Sequence, residues 1–242
     1  MFNAVQTKDA VIAWIKNYFK ENGPDCMAVI GISGGKDSSI VADLCVKALG
    51  AQRVYGVLMP QGEQHDINYS LELVSHLNIR YTIINIKNSV DALLAGLQEG
   101  GLAANKQAII NIPARVRMTT LYAVSAIVNG RVANTSNLSE DYVGYATKYG
   151  DAAGDFSPLS LLTVTHIKLM ARELDLPSKF IDKIPEDGLT GSSDEDILGF
   201  SYDVVDKYIL EGICDDAVIK EKIDRLHVIN QHKFNLIPCY KP

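Results

Sequence analysis

The sequence predicts an α/β fold, a parallel sheet flanked by helices, closed by a group of C-terminal helices. Two observations carry this. Short apolar runs alternate with helical patterns from Met27 to Leu97, as repeated βαβ units require. The first run, Met27-Ala28-Val29-Ile30-Gly31-Ile32, passes directly into Ser33-Gly34-Gly35-Lys36-Asp37-Ser38-Ser39 and a helical stretch to Leu49. A strand, a glycine turn and a helix start form a phosphate cradle, with backbone N–H groups and the helix N-terminus facing the anion.

Thr7 to Phe19 reads as an amphipathic helix, with Val11, Trp14, Ile15 and Tyr18 on one stripe and Trp14 as a core anchor. Asn22-Gly23-Pro24 stops it. After the cradle, Arg53 to Met59 is the second strand, Glu63 to Leu77 a helix, Tyr81 to Ile86 the third strand and Ser89 to Leu97 a helix. Asn105 to Asn129 is the longest helical stretch, interrupted at Pro113, with Met118, Leu121, Tyr122 and Ser125 as its packing face. On it, Arg115 and Arg117 stand about 200° apart, so the two do not share one pocket at one depth. Val132-Ala133 is a short last strand that opens into polar, glycine-rich loops through Asp155, where binding groups concentrate. Thr165 to Leu174, Ser201 to Leu210 and Asp215 to Ile229 are the last helices. Pro185 to Asp196 is a charged Gly/Ser-rich loop suited to covering a site. Without repeats or linkers, residues 1–242 read as one domain.

Composition removes several function classes. The net charge of −6 argues against a broad basic surface for nucleic acid. No apolar run approaches the roughly 20 residues that span a bilayer. The N-terminus lacks a basic region ahead of an apolar core, so a cytoplasmic protein is expected. Cys26, Cys45, Cys214 and Cys239 form no Cys-x-x-Cys pair, which speaks against a zinc site or redox dithiol. The cradle is not a Walker A loop: three residues separate Gly31 from Gly35, and Asp37 follows Lys36.

SGGxDS after a buried strand instead resembles the pyrophosphate loop of the N-type ATP pyrophosphatases, which cleave ATP between its α and β phosphates. Four blocks in order, SGGKDSS, NIPARVRM, NTSNLSE with TKYGD, and SSDEDILGFSYDVVDKYI with His232-Lys233, resemble the ammonia-dependent NAD synthetases over nearly the whole chain. That resemblance implies an adenine nucleotide alpha hydrolase-like, Rossmann-like fold and a homodimer. It also implies amidation of a nicotinate nucleotide with ammonia, most simply deamido-NAD. Nicotinate mononucleotide presents the same carboxylate, ribose and first phosphate.

By the resemblance, Gly31, Ile32, Ser33, Gly34, Gly35, Lys36, Asp37 and Ser38 hold the ATP phosphates and Thr135 contacts ATP. Asp37 and Glu140 bind Mg²⁺. Arg115, Lys148, Asp155, His232 and Lys233 hold the acceptor, with Lys36, Asp37 and Lys148 nearest the chemistry. Read from the residues alone, Glu140 is also a helix-start carboxylate, Lys148 a solvated lysine and Asp155 a turn cap. Two positions depart from the family pattern. Val164 stands where an ATP-contacting lysine is usual, with Lys168 one turn on as a substitute. Glu186 stands where a hydroxyl is usual, with Thr190, Ser192 or Ser193 as alternatives. A nucleotide-binding regulator without turnover is the competing expectation those departures raise. Nothing precedes the first helix to act as a glutaminase, so free ammonia is the expected donor.

Overall fold

The computed structural model describes residues 2–182 and 194–241. The loop expected from Pro185, with Glu186, Thr190, Ser192 and Ser193, lies for the most part outside them; its last residues, from Asp194, are helical. The described residues form a four-stranded parallel sheet in the order β3-β2-β1-β4, where β1 is Met27–Gly31, β2 Val54–Leu58, β3 Arg80–Ile83 and β4 Gly130–Val132. The parallel α/β fold is therefore present, and β1 lies inside the sheet because its run Met27 to Ile30 is buried throughout. Ala28 pairs with Val54 on one side, and Val29 with Val132 on the other.

Alternation along β1 sends its side chains to two cores. Ala28 and Ile30 face α1 (Ala4–Asn22) and α2 (Lys36–Leu49), packing with Ile15, Phe19, Ile40 and Leu44. Val29 faces α4 (Lys87–Glu99) and α5 (Lys106–Ile127), with Val90, Met118, Leu121 and Val124. The short α8 (Ser178–Ile181) adds Phe180 and Ile181 to the first core. A third, smaller core joins α6 (Leu138–Val143), α7 (Val164–Ala171), α9 (Asp194–Leu198), α10 (Tyr202–Glu211) and α11 (Ala217–Asn230) through Val143, Val164, Leu198, Val205 and Ile223. The C-terminal helices thus pack on the segment after β4, beside the carboxyl ends of the strands. Cys45 is a fully buried core residue, as its apolar setting predicted.

Three local expectations are corrected. Trp14 is no core anchor: it is 45% exposed and stacks on Tyr18 instead. The buried stripe of α1 runs through Ile15 and Phe19, one position round the helix. The helix expected from Glu63 starts only at Ile67, as α3 (Ile67–His76): a turn with Ile67 N donating to Gln64 O (3.3 Å) precedes it, and before that the Asn85 side chain donates to Gly62 O (2.9 Å) and accepts from Gly62 N (3.0 Å). β3 ends at Ile83, short of the expected Ile86, although Ile84 N and Ile86 N still donate to Leu58 O and Pro60 O (2.9 Å each), so the chain stays tied to the β2 segment over that stretch. Tyr122 lies at the margin of its packing face, where its hydroxyl donates to Asp155 Oδ1 (3.2 Å). The interruption expected at Pro113 is also corrected: the proline sits buried within α5, which runs unbroken from Lys106 to Ile127.

A buried polar knot binds the C-terminal helices to the sheet domain. Asp206 on α10 accepts from Ser139 Oγ on α6 and from Thr165 N at the start of α7 (2.7 Å), while Ser139 Oγ accepts from Val164 N (2.9 Å). Both side chains are buried. Removing the carboxylate strands a hydroxyl and a helix N–H, so Asp206→Ala is expected to destabilise by about 2–4 kcal/mol. Urea unfolding of the full chain checks this; Asp206→Asn, which keeps an acceptor, is expected to lose less.

Candidate active site

The cradle is shaped by contacts within the chain. Gly34 has φ +78°, and a Cβ there would lie 3.0 Å from Ser70 Oγ and 3.3 Å from Tyr69 Cβ, both on α3. Ser38 and Ser39 donate to Gly35 O (3.1 and 2.8 Å), and Ser33 Oγ accepts from Gly35 N (3.1 Å). Ser38 spends its one proton on Gly35, so Ser33 is the donor in the 3.0 Å contact between the two hydroxyls. These hydroxyls therefore set the turn that presents the N-terminus of α2 at the end of β1.

Lys36, 6% exposed, is paired with the Asp37 carboxylate. Asp37 Oδ2 also accepts from Asn137 Nδ2 (3.4 Å). Asn137 is the N-cap of α6, its Oδ1 accepting from Glu140 N (3.0 Å). The cap ties the first turn of α6, with Glu140, to the cradle. Burial first, and Asp37 next, push the Glu140 carboxyl well above the usual carboxylate range, with Lys36 opposing. Two hard oxygen donors from separate segments thus come together. Tyr202, 6% exposed, completes this end. Among the described residues its buried hydroxyl has no hydrogen-bond partner. Burial raises its pKa far above the phenol range, and the charges of Glu140, Asp194 and Asp37 add to the shift.

The second cluster is basic. Arg115 Nε donates to Lys148 O (3.2 Å), and Lys148 Nζ donates to His232 O (2.6 Å) while standing 5.3 Å from the centroid of the Tyr149 ring. Tyr149 takes a left-handed backbone, φ +62°, unusual for an aromatic residue and a feature that concentrates at functional sites. Lys233 Nζ donates to Gly144 O (2.7 Å), and burial lowers its pKa against the pull of Asp151. Arg115, Lys148, His232 and Lys233 are thus gathered from α5, the loop after α6 and the C-terminal segment. Arg117 points elsewhere, donating to Met59 O (3.3 Å), and burial lowers its pKa.

Asp155 is committed within the fold. Its carboxylate accepts from Val132 N (2.7 Å) and Tyr122 Oη (3.2 Å), which closes the end of β4. Thr135 is half-buried in the turn between β4 and α6. Beside it, Asn134 is fully used: it donates to Asp151 O and Ala153 O and accepts from Ser136 N and Ser157 Oγ. Val164 belongs to the third hydrophobic core, and Lys168 is exposed.

Sequence reasoning passed over two residues of the first cluster. Asn137 was legible, since Asn followed three residues later by Glu is an N-cap signature. Tyr202 was not: helical periodicity places it on a buried face, and nothing local tells that its hydroxyl ends beside two carboxylates.

A parallel sheet with a phosphate cradle at the end of an inner strand, a carboxylate pair beside it and a basic cluster nearby defines a nucleotide-binding α/β protein of the ATP pyrophosphatase type. Residues 7–239 match the NAD synthase family, and the chain belongs to it. It is 39% identical over 216 residues to the NH(3)-dependent NAD(+) synthetase of Pyrococcus furiosus, covering 89% of this chain and 82% of that protein. The corresponding synthetase of Methanocaldococcus jannaschii is 36% identical over 241 residues, covering 96% and 93%. Among solved structures, NMN synthetase from Francisella tularensis superposes with a TM-score of 0.90 at 32% identity, covering 99% of each chain. The NH3-dependent NAD synthetase of Campylobacter jejuni superposes at 0.80 and 28% identity over the whole of both chains.

Gly34→Ala tests the cradle. The added Cβ meets α3 and leaves the left-handed backbone strained by about 1–3 kcal/mol. ATP affinity is expected to fall at least tenfold by calorimetry, while a circular dichroism spectrum shows the sheet intact.

Proposed function

We propose that this chain catalyses ATP-dependent amidation of a nicotinate nucleotide with ammonia, converting deamido-NAD to NAD. The observation that carries the reading is the pairing of a preformed phosphate cradle with a basic acceptor cluster, in a chain whose relatives named above are NH(3)-dependent NAD(+) synthetases. The chemistry is balanced in two steps. A carboxylate oxygen of the nicotinate attacks the ATP α-phosphorus, the bond from that phosphorus to the bridging oxygen breaks, and pyrophosphate leaves. Ammonia then attacks the activated carbonyl, AMP departs with the bonding pair, and the nitrogen loses a proton to solvent. Pairing with ATP is needed because a free carboxylate is a poor electrophile.

The chain's residues supply position and charge. The cradle from Gly31 to Ser38 and the buried Lys36 hold the phosphates. Arg115 and Lys148 are cations placed for the acceptor's carboxylate or phosphate, and the His232 segment closes over it. Thr135 lies in the turn between the two clusters. The Asp37–Glu140 pair fits Mg²⁺: both are hard oxygen donors, and their mutual repulsion is relieved by a divalent cation. The unpartnered Tyr202 hydroxyl suits a water held beside them. When bound, Mg²⁺ supplies neutralisation of phosphate charge. Asp155 contributes by fixing the β4 end on which these loops stand.

Leu93, Ile109, Ile110 and Ile127 leave apolar surface exposed along α4 and α5, which supports a homodimer. Among the described residues, no helix is long and apolar enough to cross a membrane. The substrates, ATP and a pyridine nucleotide, fit a cytoplasmic enzyme.

The second reading has its own observation: the whole-chain match to an NMN synthetase structure at TM-score 0.90. It keeps the chemistry and exchanges the acceptor for nicotinate mononucleotide. The deciding experiment incubates the protein with ATP, Mg²⁺, ammonia and each acceptor, following AMP and amide. A higher kcat/KM for the dinucleotide supports NAD synthesis, a higher value for the mononucleotide supports the second reading, and no turnover with either sinks both.

Two variants test the roles. Arg115→Ala is expected to raise the acceptor KM on the order of tenfold with little change for ATP, as loss of a charged contact predicts; an effect on ATP alone would contradict the assignment. Glu140→Gln is expected to raise the Mg²⁺ concentration for half-maximal activity by tenfold or more while thermal unfolding stays cooperative.

A further inference from the structure

α6 is short, yet the polar groups at both its ends are engaged. At its N-terminus Asn137 links it to Asp37. At its C-terminus Glu140 O accepts from Tyr145 N and Asp141 O from Gly144 N, the normal closure of a helix by a left-handed glycine. The next three carbonyls, of Tyr142, Val143 and Gly144, would otherwise be orphaned. Each is taken by a side chain from the end of α11 and the turn after it. His227 Nδ1 lies 2.9 Å from Tyr142 O, Asn230 Nδ2 3.1 Å from Val143 O, and Lys233 Nζ 2.7 Å from Gly144 O.

The spacing of three residues along the end of α11 and the turn after it matches three consecutive carbonyls. A carbonyl only accepts, so His227 carries its proton on Nδ1, and Nε2 is free to accept from Gln231 Nε2 at 3.0 Å. The imidazole also stacks on Tyr142, centroids 4.1 Å apart. The fit leaves no room for a side chain at position 144: a Cβ there would lie 2.1 Å from Asn230 Cβ. The same short segment supplies His232 O to Lys148 Nζ. One continuous set of contacts therefore runs from Asp37 through α6 and the end of α11 to Lys148 and Arg115.

We propose that His227, Asn230 and Lys233 form a clamp on the C-terminal end of α6, positioning Glu140 against Asp37 and seating Lys148 and His232 in the same act. The clamp rests on the assignment of Asp37 and Glu140 as cation ligands. Its three residues are positioning residues, and for Lys233 this role explains why a lysine beside the acceptor cluster spends its ammonium on a helix end.

The test uses the full-length chain and two readouts. Calorimetry measures Mg²⁺-dependent binding of an unreactive ATP analogue with a methylene bridge between the α and β phosphates, and steady-state kinetics gives the acceptor KM. His227→Phe keeps the stacked ring without the donor; His227→Asn restores a donor near the Nδ1 position. Asn230→Ala removes the second contact, with Asn230→Ser in reserve should that variant not fold. His227→Phe and the Asn230 variant are expected to weaken Mg²⁺-nucleotide binding and raise the acceptor KM together, each on the order of tenfold, as loss of support behind a metal ligand does. His227→Asn is expected to recover most of both. Folded variants with lowered thermal stability but unchanged binding and KM would overturn the clamp. Glu140→Gln run in parallel separates the failures. If it weakens Mg²⁺ binding and the clamp variants do not, the clamp alone falls. If it has no effect, the cation assignment falls and the clamp with it.

Discussion

Asp37 and Glu140 are brought close together in a partly buried place, and like charges so arranged repel in a medium that screens them poorly. Much of the surrounding structure answers that repulsion. Lys36 pairs with one carboxylate, and Asn137 donates to it while capping the helix that carries the other. Buried Tyr202 adds an uncharged hydroxyl. The compensation is incomplete, which is why the Glu140 carboxyl stays raised above its usual range.

That arrangement depends on where β1 ends. Its side chains feed two cores, so the strand is held on both faces and the cradle issues from one of the most constrained points of the chain. The cradle's serine hydroxyls bond to one another and to Gly35, leaving backbone N–H groups and the α2 terminus as the phosphate-facing elements. The acceptor cluster is built otherwise. Lys148 and Lys233 are aimed by carbonyls that belong to distant parts of the chain, His232 and Gly144. Its geometry depends on the C-terminal helices being docked. The buried Asp206 knot and the third hydrophobic core hold them there.

Much of this was legible in the amino-acid sequence by itself. Buried apolar runs of strand length, separated by helical periodicity, determined a parallel α/β sheet, because only βαβ crossovers bury strands on both faces. The order of strand, glycine turn and helix was legible at Ser33 to Ser39, where the turn and the start of α2 lie as the sequence implied. The later blocks, at their spacing, determined the family. Tertiary structure decided the rest. Trp14 and Ile15 look equally apolar in sequence, and only the packing of α1 on α2 put Ile15 inside and Trp14 at the surface. The turn at Gly62, ahead of α3, is held by Asn85, 23 residues further along the chain, and no local propensity carries that information. Asp155 and Lys233 show the same principle at the site. Their residue types suggest ligand contacts, and the fold adds bonds that no local stretch reveals: Asp155 accepts from Val132 N and Tyr122 Oη, and Lys233 donates to Gly144 O. A side chain's partners are fixed by which backbone groups the fold leaves unsatisfied nearby, and that is a property of the assembled chain, not of any stretch of it.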